Sequence, residues 1–203
     1  MLGSNQTGTA ADLGNGYRHE SPYIIDDAPP RAKRSAFFTI TLASIMWWMP
    51  IIWVRFLYAP GVQERGLNVF SWTVTALLAL LGIVPAVQLI RAVRQGRFEA
   101  MTGKLIGMIS IALLVCVGIL VGWATSSLPI STPLGSSFYF FSAALGVFFL
   151  ISAFVETIHA LRAGSSWGVG YDATSSWRVE NSAYMWLWNC FWFLVFYVIF
   201  FLF

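Results

Sequence analysis

Thr125-Ser-Ser-Leu-Pro-Ile-Ser-Thr-Pro-Leu-Gly-Ser-Ser137 interrupts the uncharged run from Leu105 to Val155, and its reading decides the fold. A helix needs about 20 apolar residues to cross a hydrocarbon layer of roughly 30 Å. The run is too long for one crossing, and Pro, Gly and Ser concentrate in its middle, where they favour a turn. It therefore reads as two crossings joined by a short uncharged loop. Outward from it, Ser35 to Val54, Gly66 to Ile90 and Asn181 to Phe203 are also free of charge, and each fits one crossing. The fold class expected is an all-α integral membrane bundle of five transmembrane helices, at about 35–57, 67–91, 104–124, 135–161 and 182–203.

Composition agrees. Of the 203 residues, 58% are hydrophobic and 10% charged, against roughly 25% charged in soluble domains. Residues 1–34 form a polar amino-terminal tail with Gly3, Gly8, Gly14 and Gly16 and no apolar core segment of the signal-peptide kind. The tail carries Glu20, Asp26 and Asp27, then Pro29-Pro30-Arg31-Ala-Lys33-Arg34, read as a helix-breaking, basic collar before the first crossing. Lys and Arg cluster at crossing ends, where topology and anionic head groups account for them, so no nucleic-acid partner is expected. Cys116 and Cys190 fall in separate crossings and read as buried apolar residues, without a disulfide framework or metal-ligand spacing.

Charge also predicts orientation. With the amino terminus inside, the inner segments hold Arg18, Arg31, Lys33, Arg34, Arg91, Arg94, Arg97, Lys104, Arg162 and Arg178, and the outer ones hold Arg55 and Arg65. That bias, read by the positive-inside rule, places the carboxyl terminus outside. Pro50 and Pro85 should kink the first two crossings. The fifth crossing is aromatic throughout, from Tyr184-Met-Trp-Leu-Trp to Phe-Phe-Leu-Phe203. Its rings point to contact with lipid or protein rather than a bound pigment, since no axial ligand pair accompanies them.

Ionisable groups inside a bilayer are costly and mark function. Glu156 and His159 stand three apart and share a helix face. Glu-x-x-His occurs in di-iron bundles, but such a site needs a second copy of the motif and two further Glu, which the chain lacks. An interfacial pair, a contact with Arg162 or a bond to a neighbouring subunit are the roles left open. No Ser-His-Asp set, P-loop or Gly-rich phosphate cradle is present. Neither catalytic, metal-ligating nor cofactor-binding residues are expected on this chain.

Val179-Glu180-Asn-Ser-Ala-Tyr184-Met-Trp-Leu-Trp-Asn189-Cys-Phe-Trp192-Phe-Leu-Val-Phe196 resembles the closing signature of subunit III of haem-copper oxidases. That family ends in a Glu, then Tyr-Trp-His-Phe-x-Asp-Val-Val-Trp. Tyr184, Asn189 and Trp192 match its Tyr, Asp and Trp; Met185 and Trp186 stand where its Trp and His would be; Glu180 lies within one residue of its place. Gly135-Ser-Ser-Phe138-Tyr139, followed by Gly146 and Arg162, is similar to the family's loop and penultimate helix, and the resemblance extends loosely from Ser35 to Phe203. Leu145-Gly146-Val147-Phe148 replaces the family's His-Gly-x-His, Ile45 after Ser44 replaces a carboxylate, and a Gln-x-x-Glu-aromatic patch is missing around Gly122, Trp123 and Ala124.

The resemblance implies an accessory subunit of a respiratory terminal oxidase, multi-pass in the cell (inner) membrane, with the five-helix layout of short family members. It would bind no cofactor itself, since haem and copper belong to the catalytic subunit I beside it, and it would hold phospholipid. Glu156, His159, Arg162, Glu180, Tyr184, Trp186, Asn189 and Trp192 are the expected lipid or subunit contacts. A structural subunit of another membrane complex (nitric oxide reductase, photosynthetic or monooxygenase) or a small transporter or channel stays open as an alternative.

Overall fold

The computed structural model describes residues 30–58, 66–97, 100–164, 171 and 176–202. The polar tail up to residue 29, with His19, Glu20, Asp26 and Asp27, and Arg65 lie outside the described residues. The described residues are helical apart from short turns and loops, and no strand occurs among them. Helix α1 spans Pro30–Tyr58, α2 Val69–Leu81, α3 Ile83–Arg94, α4 Met101–Thr125, α5 Pro133–Gly164 and α6 Trp177–Tyr197, continued by a π-helical turn over Val198–Leu202. Helices α2 and α3 are two halves of one span, so the described residues hold five helices long and apolar enough to cross a membrane, and the protein is a multi-pass membrane protein.

The helix ends follow from local chemistry. The basic collar after Pro30 is helical and does not break the chain, because proline at a first helical position gives up an N–H that has no partner there anyway. Asn68 caps α2, accepting the Ser71 backbone N–H at 3.2 Å. Pro50 sits inside α1, which continues through it. Pro85 acts differently. Its ring disturbs the carbonyl four residues back, at Leu81, and α2 ends there, with Gly82 as the hinge into α3. The expected kink of the second span is thus a break at Gly82.

Spans two, three, four and five form a ring in which each packs on the next, and α6 closes it against α2 and α3. Helix α1 lies outside this ring against α5 and α6. Small residues set the closest approach. A Cβ on Gly118 would stand 2.3 Å from the Thr75 hydroxyl, and one on Gly122 would stand 2.6 Å from the Trp72 ring. The glycines, one turn apart on α4, admit α2 to backbone range, a common way of packing membrane helices where no hydrophobic force drives them together.

Aromatic side chains fill the centre. Trp72 is fully buried and meets Phe138, Phe193, Phe196 and Phe201 at centroid distances of 5.1 to 6.5 Å. Phe149 is edge-on to both Trp186 and Phe193. The aromatic richness of the last span therefore serves the interior of this chain: Trp186, Trp192, Phe193, Phe196 and Phe200 are all buried, while Phe191 is exposed. Each such ring removes 150–250 Å² of surface and adds directional ring contacts.

Candidate functional site

The alternation of spans gathers the start of α1, the end of α3, the start of α4, the end of α5 and the start of α6 at one end of the bundle, here termed the basic end. There Glu180, in the first turn of α6, accepts from Arg94 at the end of α3: Oε1 lies 2.9 Å from Nε and 2.8 Å from Nη2. Tyr184, one turn on, faces the same guanidinium, with Arg94 Nη2 donating to its hydroxyl at 2.5 Å and the hydroxyl donating to Glu180 Oε1 at 3.2 Å. Glu at a helix start also sits favourably against the backbone dipole. Arg94, counted only as an orienting charge in the sequence, is the residue that reading missed. Its signal was the i, i+4 pair of Glu180 and Tyr184, which presents two acceptors on one face to whatever cation lies opposite.

The next turns of α6 hold the rest of the closing segment inside the chain. Trp186 is fully buried and donates its indole N–H to the Gly82 carbonyl at 2.9 Å. Asn189 Nδ2 donates to Ser152 Oγ on α5 at 2.7 Å and makes a longer contact of 3.4 Å to the Phe148 carbonyl. Trp192 stacks on Trp48 of α1 at 5.3 Å, and Trp188, one turn earlier on α6, donates to Ser44 Oγ at 2.7 Å. Trp186, Asn189 and Trp192 thus join the last span to the second, fourth and first spans in turn. Leu145 and Phe148, where the family pattern has histidines, are packing residues; the Phe148 ring lies 5.8 Å from Trp48.

Glu156 and His159 share a face of α5 and differ in their hydrogen bonding. His159 Nδ1 and the Tyr171 hydroxyl form a short hydrogen bond, and the Arg162 guanidinium lies over the Tyr171 ring, 4.9 Å from its centroid. Tyr171 is itself buried. Burial pushes its phenol up, Arg162 and Arg178 pull it back down, and the Glu156 carboxyl adds a smaller upward push. Glu156 is fully buried, and neither carboxyl oxygen has a hydrogen-bond partner among the described residues. It lines a cavity of about 110 Å³ between α5 and α6 with Ile151, Ser152, Val155, Ser182 and Met185. Ser182, whose hydroxyl donates to the Val179 carbonyl at 2.9 Å, and Ser152 are the other polar groups there.

Among the described residues, this end of the bundle offers the Arg94–Glu180 ion pair with the Tyr184 phenol, the His159–Tyr171–Arg162 cluster and the buried Glu156 carboxyl. Among the described residues no three His, Cys, Asp or Glu side chains converge as a metal site would require. No protein-family model matches this chain, and no curated protein matches it either.

Proposed function

We infer that this chain is a non-catalytic accessory subunit of the subunit III type in a respiratory haem-copper oxidase. It stabilises the catalytic subunit and holds phospholipid. The observation that carries the reading is the closing segment Glu180, Tyr184, Asn189 and Trp192, whose spacing resembles the family signature and whose side chains bind the last span to the other helices. Such a motif is about building the subunit, which suits a chain whose partner does the chemistry. Haem and copper belong to the catalytic subunit I, and electron transport passes through that subunit.

The cell (inner) membrane is the proposed location, with the amino terminus inside, the carboxyl terminus outside and the basic end facing the cytoplasm, where Arg162 meets phospholipid head groups. Gentle solubilisation of native membranes, followed by subunit analysis and a visible spectrum, tests the reading. Co-purification with a haem-bearing and copper-bearing partner is the expected result. Recovery without any such partner in every detergent tried overturns it, and the spectrum of whatever assembly is recovered separates an oxidase from a photosynthetic or monooxygenase complex.

A small transporter is the second reading, favoured by the unpartnered carboxyl of Glu156. Conduction or solute movement by the purified chain alone in vesicles would raise it above the first.

A further inference from the structure

An open hollow of about 300 Å³ lies between the end of α3 and the start of α4, at the basic end. The turn that builds it is set by Gly96, whose φ of +68° is the left-handed conformation that glycine takes without steric cost. The Gly96 and Arg97 backbone N–H groups return to the carbonyls of Val93 and Ala92 at 3.1 and 2.9 Å, closing α3 as a Schellman motif does. This satisfies the last carbonyls of α3 and folds Arg97 back to line the hollow with Arg91. Lys104 enters from the first turn of α4, its Nζ donating to the Ala100 carbonyl at 3.0 Å. Ala100 is the N-cap of α4 and makes no side-chain cap, so the helix adds its positive dipole end to the same wall.

Three cations thus face one hollow. Among the described residues the carboxylates are Glu156, buried on α5, and Glu180, bound to Arg94 at 2.8 Å, and neither lines the hollow. Glu99 lies outside the described residues, and paired with one cation it would still leave two. The positive-inside rule accounts for basic residues in this connection, not for their convergence on one hollow, where like charges repel. A second observation says what kind of anion fits. Gln88 stands one turn deeper than Arg91, about 4.5 Å along the helix, within the span Val69–Arg94. It is exposed, and its amide makes no hydrogen bond among the described residues, which is costly against hydrocarbon. One turn deeper again, Val84 is exposed and apolar. Beside α3 at this depth, Gly107 of α4 leaves a shallow track, since a Cβ there would meet only Pro85, at 3.8 Å. Inorganic phosphate would use the cations and offer nothing to Gln88 or Val84. An acidic protein segment would have to follow them into hydrocarbon. A glycerophospholipid carries all three elements in order: a phosphate at the surface, ester carbonyls beneath it and acyl chains below.

We propose that the hollow between α3 and α4 binds one anionic glycerophospholipid, with its phosphate held by Arg91, Arg97 and Lys104, an ester carbonyl accepting from Gln88 and an acyl chain over Val84 and Gly107. Forked guanidinium groups match phosphate oxygens, and basic pockets between membrane helices hold lipid head groups in this way. The site is separate from Arg162, whose guanidinium lies over the Tyr171 ring. It does not rest on membership of an oxidase.

Native mass spectrometry of the full chain in detergent, titrated with phosphatidylglycerol or phosphatidylcholine, tests the site. One phosphatidylglycerol should bind about ten-fold or more tightly than phosphatidylcholine, whose choline brings a further cation to the hollow. Arg91→Gln, Arg97→Gln and Lys104→Gln should each weaken phosphatidylglycerol about five-fold, the equivalent of about 1 kcal/mol per basic residue at an anionic lipid surface. Gln88→Leu should weaken both lipids about three-fold through the lost hydrogen bond. A triple variant of the collar on α1, Arg31→Gln with Lys33→Gln and Arg34→Gln, removes as much charge from a helix that packs on α5 and α6 and should leave the affinity within about two-fold of wild type. No preference for phosphatidylglycerol, or equal losses in the hollow and collar variants, overturns the proposal. So does displacement of the lipid by an acidic peptide, or by inorganic phosphate when chloride at equal ionic strength displaces none. The substituted side chains of the hollow are exposed or half-buried, and the separate variants keep the test usable if one fails to fold. Only this chain and added lipid enter the measurement, so failure to find a haem-bearing complex leaves the lipid site standing, and the reverse holds as well.

Discussion

The indole N–H of Trp186 donates to the carbonyl of Gly82 at 2.9 Å, so the residue standing where the family pattern has histidine is fixed on the hinge that Pro85 imposes on the second span. The bond ties a weak point of one helix to the middle of another. Trp186→Phe keeps most of the ring volume and removes the donor, leaving a buried carbonyl with one partner fewer. A loss of about 1 kcal/mol is expected, read as a lower unfolding temperature in detergent; Trp186→Ala should cost about 3–5 kcal/mol through the cavity it opens.

Gly122→Ala should destabilise by about 1–3 kcal/mol, because its new methyl group would stand 2.6 Å from a fully buried Trp72 ring. Gly103, also inside α4, has no atom within 4 Å of where its Cβ would be. Gly103→Ala should be neutral or gain roughly 0.5–1 kcal/mol from helix propensity. Thermal unfolding of the two variants side by side separates close packing from propensity.

A double-mutant cycle on Arg94→Met and Glu180→Gln should return a coupling of less than about 1 kcal/mol, since the Arg94 side chain is 58% exposed and solvent screens the pair. The coupling should shrink as salt is raised. A coupling above that range that ignores salt would place the pair in a drier environment than its exposure implies.

Asn189→Ala leaves the Ser152 hydroxyl without its donor inside the bundle and should cost about 1–3 kcal/mol. Combining it with Ser152→Ala should recover part of that loss, on the order of 0.6 kcal/mol, the average for hydrogen-bonded pairs between membrane helices. Equilibrium unfolding of the four proteins in the cycle measures both.

Arg162→Ala should lower the phospholipid retained through purification, measured as phosphate per protein. Loss of the cation from the Tyr171 ring should accompany it. Unchanged lipid content would show that Arg162 serves the Tyr171 cluster alone.

Five spans were legible because the signal is local: apolar runs of sufficient length, and a turn marked by Pro129, Pro133 and Gly135. The disturbance by Pro85 was legible too, but not that Gly82 would absorb it, since that depends on Trp186 arriving from the far end of the sequence to take the carbonyl. The pairing of Glu180 with Arg94 spans 86 positions, and composition cannot choose among basic residues that all stand at crossing ends. The burial of Glu156 was equally hidden. Its sequence neighbours on α5 resemble those of a lipid-facing carboxyl, and only Ser182 and Met185 of α6 show that it looks inward.

Because α6 closes the ring, biogenesis has an order built into it. While the ribosome is still making the last span, Trp72, Phe138 and Phe149 have no aromatic partners from α6, and the first four spans wait in the bilayer as an open arc. Closure comes late and all at once, when one helix delivers its rings to three others. A truncation within the last span would therefore leave inserted helices with no stable arrangement, a state that membrane quality control should remove rather than store.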